Sequence, residues 1–320
     1  MNTTSNTFPN FFIVGAAKAG TTSLAHYLDE HPQVYLSPIK EPNYFSRNDI
    51  HPEYFRKLLK ERLALFNIKH YLSESELKSR HSAYITELKQ YQDLFRDAKP
   101  NQILGEASVS YLWSQTAAKE IFNANSNAKI IIVLRNPIER AFSHYLMDLR
   151  LNFTNLNFHD ALVEDLIAKH KSWNASSQYV ELGEYYLQVK RYLDIFPHSQ
   201  VKIILHEDLK NSTLKTVKDT YSFLGIDNNF TPDLNKRHNE TYIFRNDTIN
   251  TLYRKVKLVY WIKNHVGKSF KTKLRSLLSK KGSLPMITDR EKEILLPYFK
   301  EDIKQLQTEI NRDLSNWLKI

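Results

Sequence analysis

The segment Gly15-Ala-Ala-Lys-Ala-Gly-Thr-Thr22 sets two glycines among residues too small to shield the main chain. Such a loop lets backbone amides approach an anion. Where it opens a helix, the unpaired N–H groups of the first turn and the positive end of the dipole add to the attraction. Gly20 permits a tight turn, Thr21 and Thr22 bring hydroxyl donors, and Lys18 brings a fixed positive charge. The nucleoside-triphosphate loop has the spacing G-x-x-x-x-G-K-[ST]. Gly15 and Gly20 satisfy it, but Thr21 stands where the lysine belongs, and the only lysine of the loop, Lys18, comes earlier. The residues therefore describe an anion site that departs from the commonest nucleotide loop. A plain glycine turn between a strand and a helix is the competing reading.

A second basic feature follows downstream. The run Lys129-Ile-Ile-Ile-Val-Leu134 ends in Arg135, and Ser143 lies two helical turns beyond it. A guanidinium at a strand end with a hydroxyl on the following helix can clamp a second phosphate. P-loop kinases use an aspartate near such a strand end to hold Mg²⁺. Arg135 occupies the most obvious candidate position, so no metal is expected. Two carboxylates could take up a proton: Glu41, in Ser37-Pro-Ile-Lys-Glu-Pro-Asn-Tyr-Phe45, and Glu106, in Gly105-Glu-Ala-Ser-Val-Ser-Tyr111. Both follow short apolar runs and so can reach a cleft at strand ends. His144, beside Ser143, falls on a different helix face and reads as packing.

These segments carry a resemblance. Ile13-Val-Gly-Ala-Ala-Lys-Ala-Gly-Thr-Thr-Ser23 resembles the 5′-phosphosulfate loop of sulfotransferases that use the nucleotide donor PAPS, whose hallmark is K-x-G-T-T. It is similar to the carbohydrate branch, which includes heparan sulfate sulfotransferases and many bacterial members. Ile132-Val-Leu-Arg-Asn-Pro-Ile-Glu-Arg-Ala-Phe-Ser-His-Tyr145 resembles the segment whose Arg and Ser hold the donor's 3′-phosphate, and Lys40-Glu-Pro-Asn-Tyr-Phe45 resembles the K-E-x-x-x-F context of a catalytic Glu. The resemblance implies that Lys18, Ala19, Gly20, Thr21, Thr22 and Ser23 hold the 5′-phosphate, and that Arg135 and Ser143 hold the 3′-phosphate. It further implies that Lys18 stabilises the leaving oxygen and that Glu41 is the general base. Lys40 and Glu106 are assigned to the acceptor side, Glu106 with loop organisation as its second role. Arg237, in Lys236-Arg-His-Asn239, is the candidate for a basic segment closing over the 3′-phosphate. The expected reaction moves a sulfuryl group from PAPS to a hydroxyl or amine, on a small molecule or glycan, and releases PAP. A P-loop kinase and a non-catalytic binder of acidic glycan or nucleic acid are the alternatives. The resemblance favours the enzyme, with no nucleic-acid partner.

The elements that must position these groups alternate. Short apolar runs at Phe11–Val14, Val34–Ser37, Ile103–Glu106, Lys129–Leu134 and Val201–Leu205 read as strands. Helical patterns follow, at Ser23–Glu30, from Asn136-Pro137 to about Arg150, and at Ser212–Leu224, with helical segments filling roughly 52 to 97. Alternation of this kind predicts a three-layer α/β/α fold around a parallel sheet. The resemblance puts about five strands in it. Glu207-Asp208 is expected to cap the helix after the last strand, and Asp289 to cap the final helix.

With 320 residues, 42% of them hydrophobic, the chain suffices for one domain, a donor-binding core over 11–240 with a helical extension over 241–320. The absence of cysteine excludes thiolate catalysis and cysteine-bound zinc and fits a reducing, cytoplasmic location. No run approaches the ~18 apolar residues of a membrane helix. A net charge of +10 suits an anionic ligand. From Arg254 to Lys281 the chain carries ten Lys or Arg and no acid. That segment is either a solvated helix pair or a peripheral docking surface for an anionic glycan or membrane. Charge reversal at Lys271, Lys273 and Arg275 decides between them: docking requires a raised KM for an anionic acceptor, and a solvated helix pair leaves KM unchanged.

Overall fold

Every residue from Ile130 to Leu134 is fully buried, as a continuous β-branched run must be when helices cover both faces of a sheet. The computed structural model describes residues 8–234 and 286–320. Arg237 and the basic segment 254–281 lie outside the described residues.

In chain order, β1 (Phe11–Gly15) leads into α1 (Thr21–Asp29), β2 (Val34–Leu36) and β3 (Ile39–Glu41). Then come α2 (Lys57–Ala64), α3 (Ile68–Ser73), β4 (Arg80–Ser82), α4 (Leu88–Gln92), β5 (Ile103–Ala107), α5 (Ser110–Trp113) and α6 (Ala117–Ala124). After these lie β6 (Lys129–Leu134), α7 (Pro137–Leu151), α8 (Phe158–Leu166), α9 (Tyr185–Ile195), β7 (Val201–Leu205), α10 (His206–Asn211) and α11 (Thr213–Leu224). The last described helix is α12 (Asp289–Glu309).

The main sheet has five parallel strands in the order β2-β5-β1-β6-β7. β1 is central, so the loop that leaves it emerges between the ends of β5 and β6. The amide of Ala16 donates to the carbonyl of Val133 at 2.6 Å, which fastens the start of that loop to β6.

Three local expectations need correction. The stretch 52–97 is not uniformly helical: Arg80–Ser82 forms β4, which pairs in parallel with β3, with Glu41 opposite Ser82. Arg-His-Ser has no apolar signal, and only main-chain pairing makes it a strand. The final helix is capped by Thr288 rather than Asp289: the Thr288 hydroxyl accepts from the Glu291 amide, and the Glu291 carboxylate accepts from the Thr288 amide. After β7 the chain enters α10 at once. There Asp208 accepts from the amide of Leu205, while Glu207 instead accepts from the indole N–H of Trp317.

α12 buries Leu295, Phe299, Ile303 and Leu306 in the same core as the sheet. Its Asp302 carboxylate accepts from the amides of Tyr185 and Tyr186 at the start of α9, at 2.8 and 2.9 Å. On α9 Tyr185, Val189 and Tyr192 are buried in the core, as is Phe196 just past its end.

Gly105 lies opposite Phe11, and a Cβ there would meet the Phe11 ring at 2.1 Å. Gly105→Ala should destabilise the fold by about 1–3 kcal/mol through overpacking, read as a lower urea midpoint at an unchanged slope.

Candidate active site

The turn into α1 is made by two left-handed residues, Lys18 at φ 68° and Gly20 at φ 100°. Glycine adopts such angles without strain, whereas a lysine does so only where its surroundings impose them. Gly15 is dictated by space, since a Cβ there would sit 2.5 Å from the Cβ of Leu112 on α5.

The two helices that follow β1 and β6 differ at their N-termini. α7 is self-sufficient: the Asn136 side chain accepts from the amides of Ile138 and Glu139, and Pro137 takes the first helical position. α1 has no side-chain cap and no acid in its first turn. The amides of Thr21 and Thr22 have no acceptor within the helix, so this end suits an external anion. Thr21 is buried and Ala19 has no exposure, while Thr22 and Ser23 are half-buried. Ala19 therefore meets a ligand only through its main chain.

Lys18, within this turn, is half-buried. Burial pushes its pKa down to about 8, helped by the positive charges of Arg150 and Arg135 and opposed by Asp148 and Glu41. Arg135 follows β6 and donates from Nη1 to the Lys18 carbonyl at 3.4 Å. Its Nε and Nη2 bond Glu139, one turn into α7. The hydroxyl of Tyr185 donates to the Arg135 carbonyl at 3.0 Å, which ties the clamp to α9. Ser143 lies one further turn along the Glu139 face and is half-buried. The structure thus brings Lys18, the α1 N-terminus and Arg135 together at adjacent strand ends.

Glu41 ends β3. Burial alone would raise its pKa, but Lys40, His81 and Lys18 outweigh that and hold it below the ordinary value. The Lys40 ammonium donates to Oε1 at 2.8 Å. Glu41 is therefore ionised at neutral pH and within the electrostatic reach of Lys18.

Glu106 is placed differently from the expectation that it meets the acceptor. It has no exposed surface and its carboxylate takes bonds from Tyr91, Ser108 and Tyr111. His144 is no base. Burial pushes its pKa down to about 3, and an Arg140 N–H points at its Nδ1. A guanidinium can only donate, so that nitrogen accepts. Arg150, His81 and Asn43 went unnoticed in the sequence. Arg150 stands seven residues after Ser143 on the same helical face, a spacing that could have drawn attention to it.

Residues 9–232 match the family described as "Sulfotransferase family". The chain belongs to that family. A crystal structure of a sulfotransferase from Alicyclobacillus acidocaldarius is 30% identical, superposes with a TM-score of 0.73, and covers 98% of this chain and 100% of its own. Carbohydrate sulfotransferase 15 of Homo sapiens is 26% identical over 68% of this chain and 44% of its own length. The bifunctional heparan sulfate N-deacetylase/N-sulfotransferase 2 of Homo sapiens is 25% identical over 99% of this chain and 31% of its own. The chain thus spans less than half the length of these two curated relatives. Among the described residues no helix is long and apolar enough to cross a membrane.

The electrostatics of the turn are directly testable. An NMR titration of the Lys18 side chain should give a midpoint near 8. Arg135→Ala removes a positive neighbour and should move that midpoint upward.

Proposed function

We propose that the chain is a sulfotransferase that draws a sulfuryl group from PAPS and passes it to a hydroxyl or amine of a glycan, releasing PAP. The observation that carries the reading is the uncapped N-terminus of α1, with Lys18 in the turn that leads to it and Arg135 at the end of the adjacent strand. Two anionic groups of one nucleotide fit that arrangement better than a triphosphate with its metal. Thr21 fills the position where a triphosphate loop has its lysine.

PAPS supplies the activated sulfuryl group. The loop amides with Thr22 and Ser23 hold the 5′-phosphate, and Arg135 and Ser143 hold the 3′-phosphate, with Arg237 as a further candidate there. Arg135 has Glu139 as its partner, and its five donors allow it to keep that contact and still meet a phosphate. Lys18 neutralises charge on the leaving phosphate. Glu41 accepts the proton given up by the acceptor as its bond to sulfur forms, and Lys40 keeps Glu41 ionised on the acceptor side of the cleft. A hollow of about 340 Å³, lined by Leu58, Asn152, Phe153, Thr154 and Asn155, opens just past Arg150. Its amides and hydroxyl suit sugar hydroxyl groups. Similarity to relatives named for carbohydrate and heparan sulfate substrates supports a glycan acceptor. The lack of cysteine supports a reducing compartment such as the cytoplasm.

Calorimetry tests the donor. PAP should bind far more tightly than AMP or ATP·Mg²⁺, and Arg135→Ala should weaken PAP by about ten- to a hundredfold. PAP affinity should fall as the pH rises through about 8, because the protonated Lys18 favours the anion. PAP that binds no better than AMP refutes the reading. Glu41→Gln should cut turnover by about 10²-fold or more while changing PAP affinity by less than about twofold.

A further inference from the structure

Glu106 is a fully buried carboxylate that the proposed chemistry does not touch. Oε1 accepts from the Ser108 hydroxyl at 2.6 Å, and Oε2 accepts from Tyr91 at 2.6 Å and Tyr111 at 3.0 Å. Two of those hydroxyls are also acceptors. The amide of Asn43 donates to Ser108 Oγ, and the amide of Phe45 donates to the Tyr111 hydroxyl, each at 3.2 Å. Each hydroxyl therefore receives a main-chain hydrogen and passes its own to Glu106.

Asn43 continues the connection. It sits at φ 58°, a left-handed angle that asparagine tolerates better than most residues. Its Nδ2 donates to the carbonyls of Glu41 and Ala83, both at 2.8 Å, and its Oδ1 accepts from Ser110 at 2.7 Å. The side chain is buried and each of its hydrogen-bonding hydrogens is used. An unbroken path of hydrogen bonds thus runs from Glu106 to the carbonyl of Glu41 itself.

A buried carboxylate met by three hydroxyls and, among the described residues, by no cation is a costly way to fill a core. What it adds is direction, since its ionised form only accepts and so turns the lone pairs of Ser108 and Tyr111 toward the amides of 43 and 45. We infer that Glu106 is a positioning residue for Glu41: through Ser108, Tyr111 and Asn43 it fixes the main chain that carries the Glu41 carboxylate, and it meets no substrate. This rests on the reading of Glu41 as the base. Burial raises the Glu106 pKa to about 7 against the pull of its three hydroxyls, and the charge of Glu41 adds to the rise, so the two carboxylates sense each other.

The test compares Glu106→Gln, Tyr111→Phe and Tyr91→Phe. It uses residue-resolved hydrogen exchange, and turnover read as PAP released from PAPS with an unsulfated glucosamine-containing polysaccharide. In Glu106→Gln the amides of Asn43 and Phe45 should exchange about tenfold faster or more. In Tyr111→Phe the Phe45 amide should do so. Tyr91→Phe deletes an equally short bond to Glu106 but holds no amide of the segment, so neither amide should change. Turnover should follow the same order, with kcat down about tenfold in Glu106→Gln and the KM for PAPS within about twofold. In a Glu41→Gln background, adding Glu106→Gln should cause no further loss. Unaltered exchange at Asn43 and Phe45 overturns the inference, as does a fully multiplicative loss in the Glu41→Gln background. Exchange needs no turnover, so if Glu41→Gln keeps wild-type activity the base assignment falls while exchange still decides whether Glu106 holds the segment. Tyr111→Phe leaves Glu106 in place, so the test does not depend on Glu106→Gln folding.

Discussion

Lys18 is held where its surroundings oppose its charge. Burial, Arg150 and Arg135 all act against the ammonium, and Asp148 and Glu41 restore only part of the balance. A flexible side chain in water would swing away from such a place. Here the left-handed turn at residues 18 and 20, the bond from Ala16 to β6 and the contact of Gly15 with Leu112 leave the loop no alternative path. The rest of the molecule supplies that rigidity, because the cost of crowding like charges must be met by packing elsewhere. On the proposed reading, a dianionic donor finds its counter-charges already assembled, with little reorganisation left to do.

The parallel sheet makes this crowding attainable. With β1 between β5 and β6, three successive segments of very different sequence separation end side by side. The cationic turn comes from the middle strand, the guanidinium from one neighbour and the buried carboxylate network from the other. The small β3–β4 pair sets Glu41 beside this group without belonging to the main sheet. Lys18 and Arg135 follow strands of the main sheet and Glu41 ends a strand of the smaller one, and the Glu106 network on β5 joins the two.

Much of this was legible in the residues. The strand at 129–134 shows because little but burial explains the five successive apolar residues from Ile130 to Leu134, and the strand at 201–205 shows as a shorter run interrupted by Lys202. The loop at Gly15 to Thr22 shows because small residues and glycine spacing are rare without a reason. β4 could not be read: Arg80-His-Ser82 has no hydrophobic pattern, and its pairing with β3 is a main-chain event between distant segments. Glu106 follows an apolar run whose strand does end near the cleft, but nothing in the residue types of Tyr91, Ser108 and Tyr111 says that their hydroxyls converge on its carboxylate and bury it. Asn43 stood inside a recognised motif without being remarked, since its role follows from a backbone angle rather than from its neighbours. Thr288 and Asp289 are both good caps, and the geometry of one turn chose between them.

The Asp302 contacts give the site a birth order. Tyr185 secures the carbonyl of Arg135, and the amide of Tyr185 is in turn secured by Asp302, 117 residues later. A ribosome adds about 5–20 residues per second, and chains begin folding from the leading end. The segment carrying Arg135 is therefore made well before the helix that secures it through Tyr185. The contact that fixes the Arg135 carbonyl in place thus depends on a residue made much later than Arg135 itself.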